Sequence, residues 1–363
     1  MKKTYLVKEE NIPLKSAFPA IDAHNHLWGN WQVEKVIHTM DEVGIASYCD
    51  LTSNVQIEFA NGGYIAKPGN ISDFIKNCLN KFPSRFYGFT MANFIHPVSE
   101  PFFDIPDLFV RKSIEILNKH IESGAKGLKI LKELGLLFRD SEGNLINVDD
   151  IRLAPIWQEA ARLKIPVLIH QADPSGFFEP LTTDNEHYDS LLKYPSWNFS
   201  DKKFPRKIEL LKRRDNLIKR HPDTTFILPH VANYAENIQY VSNLLDENPN
   251  VYIDFSARLD ELGRQPYSSR ELFIKHQDRI IFGTDMPANI DTSVDMYRCY
   301  FRFLETFDES FYAPDYDGSF GRARWPICGI GLPKEVLIKI YHKNIIKIIP
   351  SLEICLEKQL TPI

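Results

Sequence analysis

The sequence predicts an α/β fold, a closed barrel of eight parallel strands each followed by a helix, and three observations carry that prediction. Short runs rich in Val, Ile and Phe alternate with longer stretches of helical periodicity along almost the whole chain. The alternation completes eight rounds, the number a closed (β/α)8 barrel needs. Several of the strand runs end in an ionisable residue, as they would at the rim where such barrels carry their chemistry.

The first strand lies near Ala20–His24 in AIDAHNHLWG, and a helix follows through Val33–Val43, stopped by Gly44. IASYCDL, from Ile45, is the second strand; helical ISDFIKNCLNKF (71–82) leads to the third, RFYGFTMANF. A helix around Phe109–Ile121 precedes GAKGLKIL, the fourth, and one closing at Trp157–Leu163 precedes IPVLIH (165–170), the fifth. PRKIELLKRRDNLIKRH is a charged helix before TTFILPH (224–230), the sixth; a helix through Ile238–Leu245 precedes the seventh, NVYIDFS. A helix from Ser268 leads to RIIFGTD (279–285), the eighth, and Glu335–Ile348 closes the round. The chain thus reads as an N-terminal extension (1–19), a TIM-type barrel (20–350) and a tail (351–363). Two long insertions break the rhythm, residues 171–205 after strand 5 and 286–333 after strand 8. Both are rich in aromatics, which argues against disorder. They are expected to wall a substrate pocket; a subdomain or a contact between copies in a homo-oligomer is the alternative.

Composition bounds the function. The 363 residues are 44% hydrophobic, enough for a large core, and the net charge of −5 with no long basic run argues against nucleic acid or an anionic membrane as partner. MKKTYLVKEENIPLK has no apolar h-region, and no apolar run is long enough to span a bilayer. The five cysteines are scattered without a CxxC pair, as free thiols of a cytoplasmic protein would be.

Along a strand residues 22, 24 and 26 share one face, so His24 and His26 can both point into the barrel mouth, with Asp22 one layer deeper. The fifth strand ends at His170, the sixth at His230 and the eighth at Asp285. Singly, His170 or His230 reads more readily as a hydrogen-bonded structural residue than as a ligand, and Asp285 has a rival role as a helix N-cap beside Pro287. Four strands ending this way at one rim point instead to a site. Pro229, which lacks a backbone donor, marks where the sixth strand stops pairing and His230 is released toward the cavity.

DAHNHL, PVLIHQ, FILPH and IFGTDMP, in this order, resemble the amidohydrolase superfamily, in particular the amidohydrolase-related branch that includes aminocarboxymuconate-semialdehyde decarboxylase. The resemblance runs from about Ile21 to the helix carrying Asn344. It implies one divalent metal, Zn²⁺ with Mn²⁺ or Fe²⁺ as alternatives, bound by His24, His26, His170 and Asp285. It also implies that His230 serves as acid, base or oxyanion stabiliser; Asp285 is expected in addition to accept a proton from metal-activated water. Lys129 in GLKIL, a carbamate bridge in two-metal members, is expected here to contact an anionic substrate or to pair with an acid such as Asp22. Arg258, just past strand seven, is a second carboxylate anchor or a salt-bridged arginine. Trp28, Phe177 and Trp197 are candidate substrate contacts, the last two with packing as the rival role.

The expected activity is metal-dependent hydrolysis of a C–N or C–O (ester or lactone) bond in a small organic substrate. Non-oxidative decarboxylation of an unsaturated or aromatic acid is the alternative, and an inactive barrel that binds a small molecule the second. No GxSxG supports a serine hydrolase, and CGIGLPK lacks the context of a dinucleotide site.

Overall fold

Ten strands form in the computed structural model, which describes residues 9–60, 63–103, 105–287, 290–314 and 324–357. They are β1 (Ala20–Asn25), β2 (Ile45–Asp50), β3 (Val55–Ala60), β4 (Gly63–Pro68), β5 (Phe86–Gly88), β6 (Leu128–Ile130), β7 (Val167–Ile169), β8 (Phe226–Leu228), β9 (Val251–Asp254) and β10 (Ile280–Ile281). Residues 1–8 of the N-terminal extension, 288–289 and 315–323 of the second insertion, and 358–363 of the tail lie outside the described residues.

Parallel pairing orders the staves β1-β2-β5 and β10-β9-β8-β7-β6. Two sets of backbone bonds join these sheets into a ring. Thr90 N donates to Gly127 O (2.9 Å) and Lys129 N to Thr90 O (2.8 Å), linking β5 to β6; Ala23 N donates to Phe282 O (2.9 Å) and Asp285 N to His24 O (2.7 Å), linking β10 to β1. The eight staves of the predicted barrel are therefore present. β3 and β4 are outside it, an antiparallel hairpin after the second stave that lies against Pro195–Trp197 of the first insertion. The sequence carries its signal, Asn61-Gly62 between two alternating runs.

Alternation along the strands separates two apolar layers. Ile21, Ala23, Leu168, Ile227, Tyr252 and Ile281 share one cluster, joined by Ile345 and Ile349 from the closing helix. Ala20, Ile130, Val167, Phe226 and Leu228 belong to the other, against Met40, Leu117, Trp157 and Leu217 of the helical shell. Helix Val33–Val43 shows the logic: Val33, Val36, Met40 and Val43 form its buried stripe, and Gly44 at φ 85° ends it by donating to Met40 O. Each such buried side chain contributes on the order of 1.5–3 kcal/mol. Helix Ser293–Glu305, inside the segment read as the second insertion, is itself part of this shell and packs on Val33–Val43.

One expectation about β1 is corrected. Pairing with β2 shifts register between Asp22 and Asn25, so Asp22 and His24 do not share a face. The Asp22 carboxylate accepts from Thr284 N and Oγ1 and from Tyr297 OH of the outer helix (3.1, 2.7 and 2.7 Å). It is committed there, and the expected Lys129–Asp22 pair is not made. Burial raises Asp22 to about pKa 6 against those bonds.

Backbone strain collects at the C-terminal ends of the staves. Trp28, Ala92, His230, Val231, Ala232, Asn233, Ala257 and Asp285 all have φ between 45° and 58°, where side chains other than Gly and Asn are disfavoured. β8 stops at Leu228, as Pro229 predicts, and the chain then enters a left-handed turn carrying His230.

Candidate metal centre

Three histidines arrive with their Nδ1 atoms already bound. His24 Nδ1 donates to Asp254 Oδ2 (2.7 Å) and His230 Nδ1 to the carbonyl of Ser256 (2.8 Å). Thr52 Oγ1 gives its proton to Asp50 Oδ1 (3.1 Å) and therefore accepts from His26 Nδ1 (3.2 Å). These partners fix one tautomer for all three rings and leave each Nε2 with a lone pair. Burial holds all three well below the ordinary imidazole range, so they are neutral.

The three lone pairs face one carboxylate. Asp285 Oδ1 lies 3.6 Å from His26 Nε2 and 3.9 Å from His24 Nε2, and Oδ2 lies 3.9 Å from His230 Nε2. His24, His230 and Asp285 each offer a ligand atom within 4.8 Å of the others. The Nε2 atoms of His24 and His230 are buried and have no hydrogen-bond partner among the described residues. Three nitrogen lone pairs and two carboxylate oxygens facing one another repel unless a proton or a cation lies among them. Burial, opposed by Lys129, raises Asp285 to about pKa 7, so that a proton on this carboxylate is one way to relieve the site. A cation is the other, and imidazole nitrogen with carboxylate oxygen is a donor set that suits a divalent metal.

His170 stands beside this group. Its ring centroid is 4.5 Å from that of His230, and its Nε2 pairs with Asp173 Oδ1 at 3.2 Å. Lys132 binds the other oxygen of Asp173 and lies over the Phe199 ring, so the pair ties the end of β7 to the first insertion. Burial lowers His170 to about pKa 4 despite Asp173. Of the expected ligands, the structure brings His24, His26 and Asp285 together and turns His170 Nε2 to Asp173; His230 is in the group.

Lys129, on β6, is fully buried; its Nζ has no hydrogen-bond partner among the described residues, and burial lowers it to about pKa 8 against the pull of Asp285 and Asp254. The Arg258 guanidinium is nearly buried and donates to Ala257 O (2.7 Å), and no carboxylate of the described residues forms an ion pair with it. Trp28 stacks on His26 with centroids 4.4 Å apart. Phe177 and Trp197 stack on each other at 5.8 Å, in the apolar cluster that holds the first insertion together. Sequence reading passed over Asp254 and Thr52, which orient His24 and His26; Asp254 was legible as an acid ending the run VYID, while Thr52 carried no signal.

No curated protein matches the chain by sequence. Solved structures do match its fold. A TIM-barrel protein from Bordetella bronchiseptica superposes with a TM-score of 0.53 at 13% identity, covering 92% of this chain and 99% of that one. The 2,6-dihydroxybenzoate decarboxylase from Rhizobium gives 0.52 at 15%, covering 92% and 99%. The dihydroxybenzoic acid decarboxylase from Polaromonas sp. JS666, solved with manganese and the inhibitor 2-nitroresorcinol, gives 0.52 at 16%, covering 92% and 97%. At these identities the likeness establishes the shared barrel. The sequence itself goes further, since the family model described as Amidohydrolase matches residues 21–350, and the chain belongs to the amidohydrolase family.

Proposed function

We propose that the protein is a metal-dependent hydrolase acting on an ester, lactone or C–N bond of a small organic substrate. One divalent cation, Zn²⁺ first with Mn²⁺ or Fe²⁺ as alternatives, would be held by His24, His26, His170 and Asp285. The observation that carries this reading is the convergence of imidazole lone pairs on one carboxylate with no donor between them. His170 is the ligand held elsewhere, and binding a cation would require its Nε2 to leave Asp173.

When bound, the ion supplies Lewis-acid polarisation and makes water acidic enough to lose a proton near neutrality. Asp285, at the rim on a left-handed residue, accepts that proton at a carboxylate oxygen. His230 keeps Nδ1–H on the Ser256 carbonyl, so Nε2 takes up a proton and returns it to the leaving group. Arg258 and Lys129 hold an anionic group of the substrate, and Trp28 shields His26 from water.

Decarboxylation is the second reading, favoured by the cations Lys129 and Arg258. A lysine with no hydrogen-bond partner and an arginine with no ion pair among the described residues, both close enough to Asp285 to act on its charge, suit a substrate carboxylate. The two decarboxylases that share the barrel accord with it. A panel of lactones, amides and unsaturated or aromatic carboxylic acids, offered to protein loaded with each metal, separates the readings. Ring opening or amide cleavage without CO₂ supports hydrolysis, and stoichiometric ¹³CO₂ from carboxyl-labelled acids supports decarboxylation. Protein that neither retains a metal nor turns over any member is a binding barrel.

A further inference from the structure

Four consecutive residues, His230, Val231, Ala232 and Asn233, hold φ between 51° and 58°. Asn tolerates that region, whereas each of the other three disfavours the turn by roughly 5–30-fold, with β-branched Val231 the least suited. The turn supplies two bonds of its own, Asn233 N to Pro229 O (2.9 Å) and Tyr234 N to Val231 O (3.0 Å). A further restraint comes from outside. Arg214, fully buried on helix Lys207–Arg220, donates from Nη1 to the carbonyl of Ala232. Its guanidinium is fixed in turn by Asp215 Oδ1, 3.0 Å from Nε and 2.8 Å from Nη2, and by Tyr240 OH at 3.2 Å.

The ends of this turn reach both histidines of the sixth and fifth staves. His230 opens it, its N–H on Asp254 Oδ1 (3.0 Å); Asn233 closes it, its Oδ1 accepting from the N–H of Gln171, the residue after His170 (3.2 Å). We propose that Arg214 is a positioning residue: through the Ala232 carbonyl it locks the left-handed turn and so sets His230 and His170 together against the metal centre. Arg214 touches no reacting atom. The link to the metal rests on the function proposed above; the clamp on the turn does not.

The test compares wild type with R214M, A232G and R214M/A232G. Amide hydrogen exchange at residues 230–234 reads the clamp, and Co²⁺ binding followed by visible absorption reads the metal centre. R214M is expected to raise exchange at 230–234 at least tenfold and to weaken Co²⁺ binding about 10–100-fold, the range for partners that orient ligands. Glycine adopts the Ala232 conformation without strain. A232G is therefore expected to recover a substantial part of both losses in the double variant, which a general loss of stability would not permit. Unchanged exchange in folded R214M overturns the clamp. Raised exchange with unchanged Co²⁺ affinity, or losses that A232G leaves untouched, overturns the positioning role. If R214M does not fold, R214K, which keeps the charge but not the fork of donors, must show the same pattern in weaker form; wild-type behaviour in R214K overturns the proposal. Wild type that binds no Co²⁺ refutes the metal reading instead, and the exchange pattern still decides the clamp.

Discussion

Replacing Asp254 by Asn tests whether the centre depends on the tautomer of His24. The Asp254 carboxylate divides its work between its two oxygens. Oδ1 accepts from His230 N and Ser256 N, both at 3.0 Å, and from Ser256 Oγ at 2.6 Å, while Oδ2 is reserved for His24 Nδ1 at 2.7 Å. An amide oxygen in the Oδ1 position keeps those three bonds and sets its NH₂ against Nδ1. His24 must then accept at Nδ1 and carry its proton on Nε2, aimed at Asp285. A charge-assisted hydrogen bond is lost, about 1.5–3 kcal/mol, and the Nε2 lone pair is lost with it. D254N should therefore weaken divalent-metal binding by about 10–100-fold, measured by competition with a chromophoric chelator. The metal-free melting temperature should move only a few degrees, because the Oδ1 bonds survive. D254A is the contrast: it takes the acceptor from four buried donors, costs on the order of 3–5 kcal/mol, and should lower the melting temperature by about 6–10 °C. Wild-type metal affinity in D254N, with D254A destabilised as expected, would refute the claim that Asp254 orients His24 for a ligand role.

The remaining predictions concern the ligands, the substrate and the pH response. H24A/H26A should abolish stoichiometric metal binding. H230A, with the four proposed ligands intact, should retain the metal while turnover falls by roughly 10²–10⁴-fold; loss of metal from H230A would make His230 a ligand. R258M should raise KM for a carboxylate substrate by roughly 10–150-fold, the worth of hydrogen bonds to a charged group, and change kcat little; an unchanged KM removes Arg258 from the substrate. Asp50 is fully buried with Oδ2 lacking a partner, and burial raises it from 3.8 to about pKa 6. The folded state thus binds more protons than the unfolded one between those values, and stability falls as pH rises through that window, by about 3 kcal/mol in all. D50N keeps the acceptor at Oδ1 for Leu27 N, Thr52 N and Thr52 Oγ1. Its melting temperature relative to wild type should therefore be higher at pH 7.5 than at pH 4.5, and a pH-independent difference would contradict the assignment.

The barrel and its rim were legible because both rest on one-dimensional signals. An apolar run that stops at His170, His230 or Asp285 states where a stave ends and which group its end carries. Asp22 was misplaced because strict alternation was assumed through β1, whereas the register with β2 shifts at that point and sends the carboxylate to Tyr297. His170 ends a stave as the run IPVLIH indicates, but its pairing with Asp173, three residues later in HQADP, was not legible, because a pair made by a loop residue carries no periodic signature. Arg214 did leave a trace. Lys207, Leu210, Leu211, Arg214, Leu217 and Ile218 are the buried residues of their helix, so at Arg214 a cation sits between leucines where the 3.6 period calls for an apolar residue. Such a residue needs a buried partner, and the carbonyl it binds lies in the run of four left-handed residues, 230–233.

That coincidence has a physical reason. A stave must run straight to be paired by its neighbours, yet a catalytic side chain must leave the sheet and converge with others above it. At β8 and β10 the chain resolves the conflict by passing into left-handed backbone at His230 and Asp285, the two residues proposed to move protons. Strain of this kind persists only where surrounding bonds over-determine it. Asp285 N is held by His24 O, and Asp254 holds His230 N, His24 Nδ1 and the Ser256 hydroxyl at once. The carboxylate that fixes the tautomer of one proposed ligand thus also restrains the backbone of the proposed acid–base group. Metal affinity and turnover should consequently fall together when Asp254 is altered and separate when His230 is altered.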